Sequence, residues 1–118
     1  MKPKILIVED RDIYQSLYRD YIQSAAEILA AKSLDEGKRL FDENPDIVLV
    51  VMDACVPGSK PNSMNLIIHI RQTFNGPMIA ASSDPDYRDI LVETGCNLKS
   101  PKEKVPDLVR ELLRLRNS

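Results

Sequence analysis

The chain has 118 residues, of which 43% are hydrophobic and 29% charged, and its length suits one domain, expected over residues 1–118. The net charge of −2 and the short N-terminal apolar run give no basic field and no membrane span, so direct binding to nucleic acid or membrane is not expected. Two cysteines and one histidine do not form a Cys/His metal site, and reduced thiols in a cytoplasmic protein are expected.

The first element is predicted to be a strand at residues 5–8, a short aliphatic run typical of a strand buried on both faces. A helix starting at Asp12 follows, because apolar residues recur at steps of four and make one broad stripe. The members of that stripe are Ile13, Tyr14, Leu17, Tyr18, Tyr21 and Ile22. Residues 28–31 predict a weaker second strand.

The second helix is predicted from a capping box, in which Ser33 is the N-cap and Glu36 occupies the third helical position. The Asn44-Pro45 pair is expected to stop it. Residues 47–52 are six apolar residues without alternation, which predicts a central parallel strand covered on both faces. This strand ends at Asp53.

The second half predicts a loop, two strands and three helices. Turn formers fill residues 57–62, and the third helix is predicted from Met64, Ile67, Ile68 and Arg71. A fourth strand, residues 78–81, ends at Ser82, and Asp84 or Ser83 is expected to cap the next helix. That helix has a predicted inner face of Tyr87, Ile90 and Leu91, and Gly95 is expected to end it. The last strand is predicted at residues 96–98, and Pro106 is expected to open a helix with Leu108, Leu112 and Leu115 on one side.

Five strands alternating with five helices predict an α/β fold: a doubly wound, flavodoxin-like (βα)5 sandwich. The usual strand order of such a sheet is 2-1-3-4-5, and ligands bind at the carboxyl ends of the strands beside the switch point between strands one and three. Those ends carry Glu9, Asp10 and Asp53. Ser82 and a lysine, either Lys99 or Lys102, are expected at the ends of strands four and five.

The chemistry of this set indicates phosphoryl transfer to a carboxylate. Three carboxylates in one crevice need a cation or a shared proton, and a few hard oxygen ligands suit Mg²⁺. A nucleophilic carboxylate, a hydroxyl and an ammonium would complete the site. Each residue alone has an ordinary explanation as a cap, a turn or a surface charge. Their joint occurrence at four strand ends favours a functional site over these separate explanations.

Over essentially its full length the chain resembles the receiver domains of bacterial response regulators. The matching segments are Ile5-Leu6-Ile7-Val8-Glu9-Asp10, Asp53-Ala54-Cys55-Val56-Pro57-Gly58, Pro77-Met78-Ile79-Ala80-Ala81-Ser82 and Gly95-Cys96. The resemblance implies that Asp53 is the phosphorylated aspartate and Ser82 the switch hydroxyl. It also implies a Mg²⁺ site formed by Glu9, Asp10, Asp53 and the backbone carbonyl of Cys55.

The family spacing selects the lysine, and the chain departs from the family pattern at three places, one of which is Glu103 where a proline usually follows that lysine. The family lysine lies seven residues after the glycine that begins the last strand, and counting from Gly95 gives Lys102. The position three residues earlier often carries an aromatic residue that swings inward on activation, and here it is Lys99. The Asp-Gly pair that often follows the Pro-Gly turn is replaced by residues 59–63, so the third helix is expected to start differently.

The implied function is acceptance of a phosphoryl group from a sensor histidine kinase or a phosphotransfer protein. The expected output is a conformational change of the face formed by helix four, strand five and helix five, which a downstream effector would read. Enzyme activity beyond the domain's own phosphotransfer and dephosphorylation is not expected. The side chains of Cys55 and Asp84 are expected to flank the path of attacking water.

Two alternatives to phosphoryl acceptance are weighed against the same residues. A phosphorylation-independent interaction module on the same fold is suggested by Lys99 and the altered loop, but it would have no use for the acidic pair with Asp53, Ser82 and Lys102. A flavodoxin-like cofactor binder is disfavoured because the loop after the first strand is acidic and lacks a Gly/Ser/Thr phosphate cradle.

Overall fold

A computed structural model describes residues 1–117, in which five parallel strands form one sheet in the order β2-β1-β3-β4-β5. The strands are β1 (Lys4–Val8), β2 (Glu27–Ala31), β3 (Ile47–Asp53), β4 (Met78–Ala81) and β5 (Leu98–Ser100). The helices are α1 (Asp12–Ile22), α2 (Leu34–Glu43), α3 (Met64–Arg71), α4 (Pro85–Thr94) and α5 (Val105–Arg116), the last preceded by a 3₁₀ turn, Lys102–Lys104. This order and alternation confirm the predicted doubly wound α/β fold.

The sheet has a hydrophobic core on each face, because successive side chains of a strand point to opposite sides. Helices α1 and α5 cover one face, where the strands contribute Ile5, Ile7, Leu49, Val51 and Ile79. Helices α2, α3 and α4 cover the other, where the strands contribute Leu6, Val8, Val50, Met52 and Met78. Burial on both faces explains why the central strands are apolar without alternation. None of the helices within residues 1–117 is long and apolar enough to cross a membrane.

The predicted helix boundaries are largely confirmed by their caps. The Ser33 hydroxyl accepts a hydrogen bond from the Glu36 amide at 3.1 Å, and Asp84 caps α4 by accepting from the Asp86 amide at 2.9 Å. Gly95 ends α4 where the chain passes close to α3, and a Cβ there would lie 2.8 Å from the Ile67 side chain. Glycine is therefore required at this helix end by close packing.

The predicted last strand was two residues too early. The Cys96 amide still donates to the carbonyl of Leu91 at the end of α4, so residue 96 cannot yet pair with β4. Asn97 then bonds to Met78 through both its backbone and its side chain, and regular pairing begins at Leu98. The final helix begins at Val105, and Pro106 occupies its first turn, where a missing N–H is tolerated.

Several apolar residues from which the helices were predicted are exposed, including Ile90 of the predicted inner face of α4. Their side chains lie on the solvent side of the broad stripes: Ile13, Tyr21, Ile68, Ile90 and Leu115. The sheet contacts only a narrow sector of each helix, and a spacing of four residues admits neighbours of that sector as well. The inner face of α5 is formed by Val105, Val109 and Leu113.

Candidate phosphoacceptor site

Strand register brings Glu9 and Asp53 together. Ile7 of β1 lies opposite Val51 of β3, so the next residues on the same sheet face are Glu9 and Asp53. Both point to the side covered by α1 and α5. Glu9 is only 1% exposed and Asp53 only 3%, so two carboxyl groups are buried side by side.

Lys102 is the cation that faces this pair. Its Nζ lies 2.8 Å from Glu9 Oε1 and 3.2 Å from Asp53 Oδ1, and the residue is 8% exposed. Lys99 lies within β5, where its exposed side chain forms an ion pair with Asp89 of α4 at 3.0 Å. The structure thus brings Lys102, and not Lys99, to the carboxylates.

The buried charges do not balance, and the pKa values reflect it. Burial and the neighbouring charge of Glu9 raise the pKa of Asp53 to about 7, although the Lys102 ammonium opposes the shift. Burial works against the Lys102 charge, but the hydrogen bond to Glu9 and the charge of Asp53 outweigh it and raise the pKa of Lys102. The lysine stays charged, and the site as a whole has an excess of negative charge.

A divalent cation fits this arrangement. One carboxylate oxygen from each of Glu9, Asp10 and Asp53 can be chosen such that all three lie within 4.8 Å of one another. Asp10 is partly exposed and opens to solvent, which leaves room for water ligands. A few carboxylate oxygens combined with water are the ligand set that Mg²⁺ takes in proteins. These residues therefore suit the predicted ion.

An open pocket of about 350 Å³ leads to the carboxylates. Its lining contains every predicted site residue except buried Glu9, together with residues of the loops after β1, β3 and β4. The lining residues are Asp10, Arg11, Asp53, Cys55, Gly58, Ser59, Ser82, Ser83, Asp84, Tyr87 and Lys102. Cys55 and Asp84, the residues expected to flank attacking water, are both among them. Burial and the charge of Asp53 raise the pKa of the Cys55 thiol.

Ser82 lies at the junction between the pocket and α4. Its hydroxyl accepts a hydrogen bond from the Asp84 amide at 3.1 Å, and its carbonyl accepts one from the Arg88 guanidinium at 2.7 Å. Ser82 therefore contacts the first turn of α4 through both groups. A movement of its hydroxyl would break a bond that holds the start of this helix.

Three tyrosines at the site were not predicted to have a role in it. Tyr14 and Tyr18 of α1 contact Lys102, and Tyr87 of α4 donates a hydrogen bond to the Ser59 carbonyl across the pocket mouth at 3.0 Å. Helical spacing indicated only that these residues share an inner face with aliphatic residues. The available signal was that tyrosine in a buried stripe carries a hydroxyl that needs a partner.

Comparison with known proteins relates this geometry to solved structures. No protein-family model matches the chain, and no curated protein matches it. A two-component response regulator from Clostridium difficile superposes with a TM-score of 0.80 at 18% identity, covering 99% of this chain and 100% of that one. The BeF3-activated N-terminal receiver domain of RstA from Klebsiella pneumoniae gives 0.76 at 23% identity, covering 95% and 96%.

A third similar structure was solved with a partner. It is a receiver domain of a Saccharomyces cerevisiae response regulator, co-crystallised with a histidine phosphotransfer signalling protein. It superposes with a TM-score of 0.71 at 20% identity, covering 86% of this chain and 79% of that one. At sequence identities of 18–23% the similarity shows the fold alone, so the chemistry has to be inferred from the residues of this chain. The chain has the fold of the receiver domains of two-component response regulators.

Proposed function

We propose that this chain is a phosphoryl-accepting receiver domain in which Asp53 takes a phosphoryl group from a phosphohistidine. The observation that carries the proposal is the contact of Lys102 with both Asp53 and Glu9 at the base of an open pocket. A single buried ammonium between two carboxylates does not neutralise them. An ammonium in this position is suited to a site that gains further negative charge during its reaction.

The reaction we propose is an in-line displacement at phosphorus. A carboxylate oxygen of Asp53 forms the new bond to phosphorus while the bond to the donor imidazole nitrogen breaks, and the electron pair of that bond leaves with the imidazole. Lys102 stabilises negative charge on the transferred group, and its ammonium is already at the reacting carboxylate. Glu9, Asp10, Asp53 and the Cys55 carbonyl would hold Mg²⁺, which when bound offsets phosphoryl charge.

The proposed output begins at Ser82. An aspartyl phosphate offers new acceptor oxygens to the Ser82 hydroxyl, which would then leave the Asp84 amide and alter the start of α4. The face formed by α4, β5 and α5 carries exposed Ile90 and the Lys99–Asp89 ion pair, and we propose it as the effector-binding face. The donor would be a sensor histidine kinase or a phosphotransfer protein. A histidine phosphotransfer protein is the partner in the yeast structure.

The domain would act only on itself, promoting its own phosphorylation and dephosphorylation. A second candidate is a phosphorylation-independent interaction module. The observation that favours it is Lys99, which occupies the usual aromatic switch position and is engaged with Asp89 at the surface. The two candidates differ in whether Asp53 reacts at all.

Intact-mass spectrometry after incubation with a small phosphodonor and Mg²⁺ tests the proposal. We expect one phosphoryl adduct on the wild type and none on Asp53→Asn, because the amide is not a nucleophile. Asp84→Asn, which changes another acidic residue of the same pocket, is the matched control and should still be labelled. Labelling of Asp53→Asn to the wild-type level would contradict the assignment, and no labelling of the wild type would favour the interaction module.

A further inference from the structure

Tyr18 of α1 is hydrogen-bonded to the backbone of Lys102. Its hydroxyl donates to the Lys102 carbonyl at 2.9 Å, and the Tyr18 side chain is completely buried. A buried hydroxyl needs a partner, and here the partner is the residue at which the 3₁₀ turn between β5 and α5 begins. The bond fixes the point from which the lysine side chain extends.

Tyr14, one helical turn earlier, contacts the other end of the same lysine. The centroid of its ring lies 4.7 Å from Lys102 Nζ, within the range of a cation–π interaction. The Arg11 guanidinium also approaches this ring, at 5.3 Å from the centroid. The two tyrosine rings are neighbours, with centroids 6.2 Å apart. One face of α1 therefore contacts Lys102 at its backbone and at its ammonium.

We propose that Tyr14 and Tyr18 are positioning residues that hold the Lys102 ammonium at Asp53 for phosphoryl transfer. This role rests on the proposed function of Asp53. A lysine side chain has many rotamers, and ordering it costs entropy. Contacts that hold the backbone and the ammonium of Lys102 before the reaction offset this cost in advance. Glu9 already places one carboxylate 2.8 Å from this ammonium. The aromatic face of Tyr14 adds attraction without adding a second negative charge, which would compete with the incoming phosphoryl group for the same cation.

The first test measures the contact and does not depend on phosphorylation. In NMR spectra the methylene protons beside the Lys102 ammonium should be shifted upfield by the Tyr14 ring current. The shift should persist in Tyr14→Phe, which keeps the ring, and disappear in Tyr14→Leu. Tyr21→Leu, which removes an exposed tyrosine elsewhere on α1, is the control and should leave the shift unchanged. An unchanged shift in Tyr14→Leu would overturn the proposal.

The second test measures the consequence for Asp53. The rate of phosphorylation by a small phosphodonor should fall about threefold to tenfold in Tyr14→Leu, the range expected from losing one cation–π contact, and Tyr14→Phe should recover most of it. Tyr18→Phe, which removes only the hydroxyl, should also slow the reaction. Neither substitution should slow it further in a Lys102→Ala background, because both act through that ammonium.

The outcomes separate this proposal from the one on which it rests. Equal slowing in the presence and absence of Lys102 would show that the tyrosines act by another route, and would overturn the positioning role while leaving Asp53 as phosphoacceptor. A wild type that accepts no phosphoryl group would overturn the proposed function and the positioning role with it.

Discussion

The two sides of the pocket are built differently. On one side, which we call the α1 wall, Lys102 lines the pocket and contacts Tyr14 and Tyr18 of α1 behind it, and both Lys102 and Tyr18 are buried. The other side, which we call the open rim, consists of Ser59 and the segment from Ser82 to Tyr87. There the Tyr87 hydroxyl donates a hydrogen bond to the Ser59 carbonyl and so joins helix α4 to the loop after β3. The wall carries the fixed positive charge, whereas the rim carries contacts that can be exchanged.

This difference indicates a division of roles. A charge that stabilises a reacting group is most effective when it is already oriented, because no reorganisation is then needed during the reaction. A conformational signal needs an element with few and exchangeable contacts. In this fold the first requirement is met beside α1 and the second at the start of α4, with Asp53 between them.

The largest expected effect separates two lysines only three residues apart. Lys102→Ala should reduce phosphorylation by about a hundredfold and abolish phosphorylation-dependent partner binding, since it removes the only ammonium in contact with Asp53 within residues 1–117. Lys99→Ala should leave phosphorylation nearly intact and alter partner binding instead. Transfer assays from a phosphorylated kinase to both variants measure this, and the reverse pattern would mean that the wrong lysine has been assigned to the phosphoryl group.

The excess negative charge around Asp53 predicts a pH-dependent stability. The pKa of Asp53 is about 7 in the folded state against an ordinary 3.8, so between these values the folded protein holds a proton that the unfolded chain has lost. The free energy of unfolding should therefore fall as the pH rises from about 4 to 7, and the full penalty applies above that range.

Asp53→Asn removes this penalty. In Mg²⁺-free buffer it should raise the free energy of unfolding by about 2 kcal/mol at pH 8 and change it little at pH 4. The gain is smaller than the roughly 4 kcal/mol that the pKa shift implies, because the substitution also removes the contact with the Lys102 ammonium. Urea denaturation at the two pH values measures the difference. A variant that is less stable than the wild type at pH 8 would show that Lys102 needs both carboxylates, and would contradict the inferred excess of negative charge at the site.

Metal binding should distinguish two acidic residues of the same pocket. Asp10→Ala should weaken Mg²⁺ binding about tenfold, because Asp10 completes the group of three carboxylates. Asp84→Ala, on the open rim, should change it less than twofold. Titration of each variant with Mg²⁺ provides the measurement, and unchanged affinity in Asp10→Ala would remove that residue from the metal site.

The hydrogen bonds of two tyrosines, Tyr18 and Tyr87, should differ in how much they contribute to the free energy of unfolding. Tyr18→Phe leaves a carbonyl buried without its donor and should cost about 1 kcal/mol or more in the free energy of unfolding. Tyr87→Phe breaks an exposed bond whose acceptor can turn to water, and should cost less than about 0.5 kcal/mol. Equal losses in chemical denaturation would mean that the wall is no more firmly held than the rim.

The sequence was sufficient for the fold and for where the strands end. The uninterrupted apolar run before Asp53 and the acidic pair after β1 placed three carboxylates at the switch point, and strand parity accounts for two of them being buried together. It was insufficient where a contact depends on the rotation of a helix about its axis. Tyr18 and Tyr21 belong to the same stripe, yet one is buried against Lys102 and the other is exposed.

The start of β5 is a second place where the sequence was insufficient to predict the structure, in this case at a helix end. Gly95-Cys96 matched a family pattern, but hydrogen bonding to the last turn of α4 keeps Cys96 out of the sheet. Such competition between a helix end and a strand is decided by tertiary packing, in this case by the close approach of Gly95 to Ile67. Residue types alone do not reveal it.

We expect the α1 wall to stay fixed when Asp53 is phosphorylated, while the open rim moves. Backbone amide NMR spectra recorded before and after phosphorylation in Mg²⁺ test it directly. We expect the amides of the open rim, from Ser82 to Tyr87 and at Ser59, to change most, and hydrogen exchange in α1 to remain as slow as before. Large changes throughout α1 with an unaltered rim would contradict this division of roles between the wall and the rim.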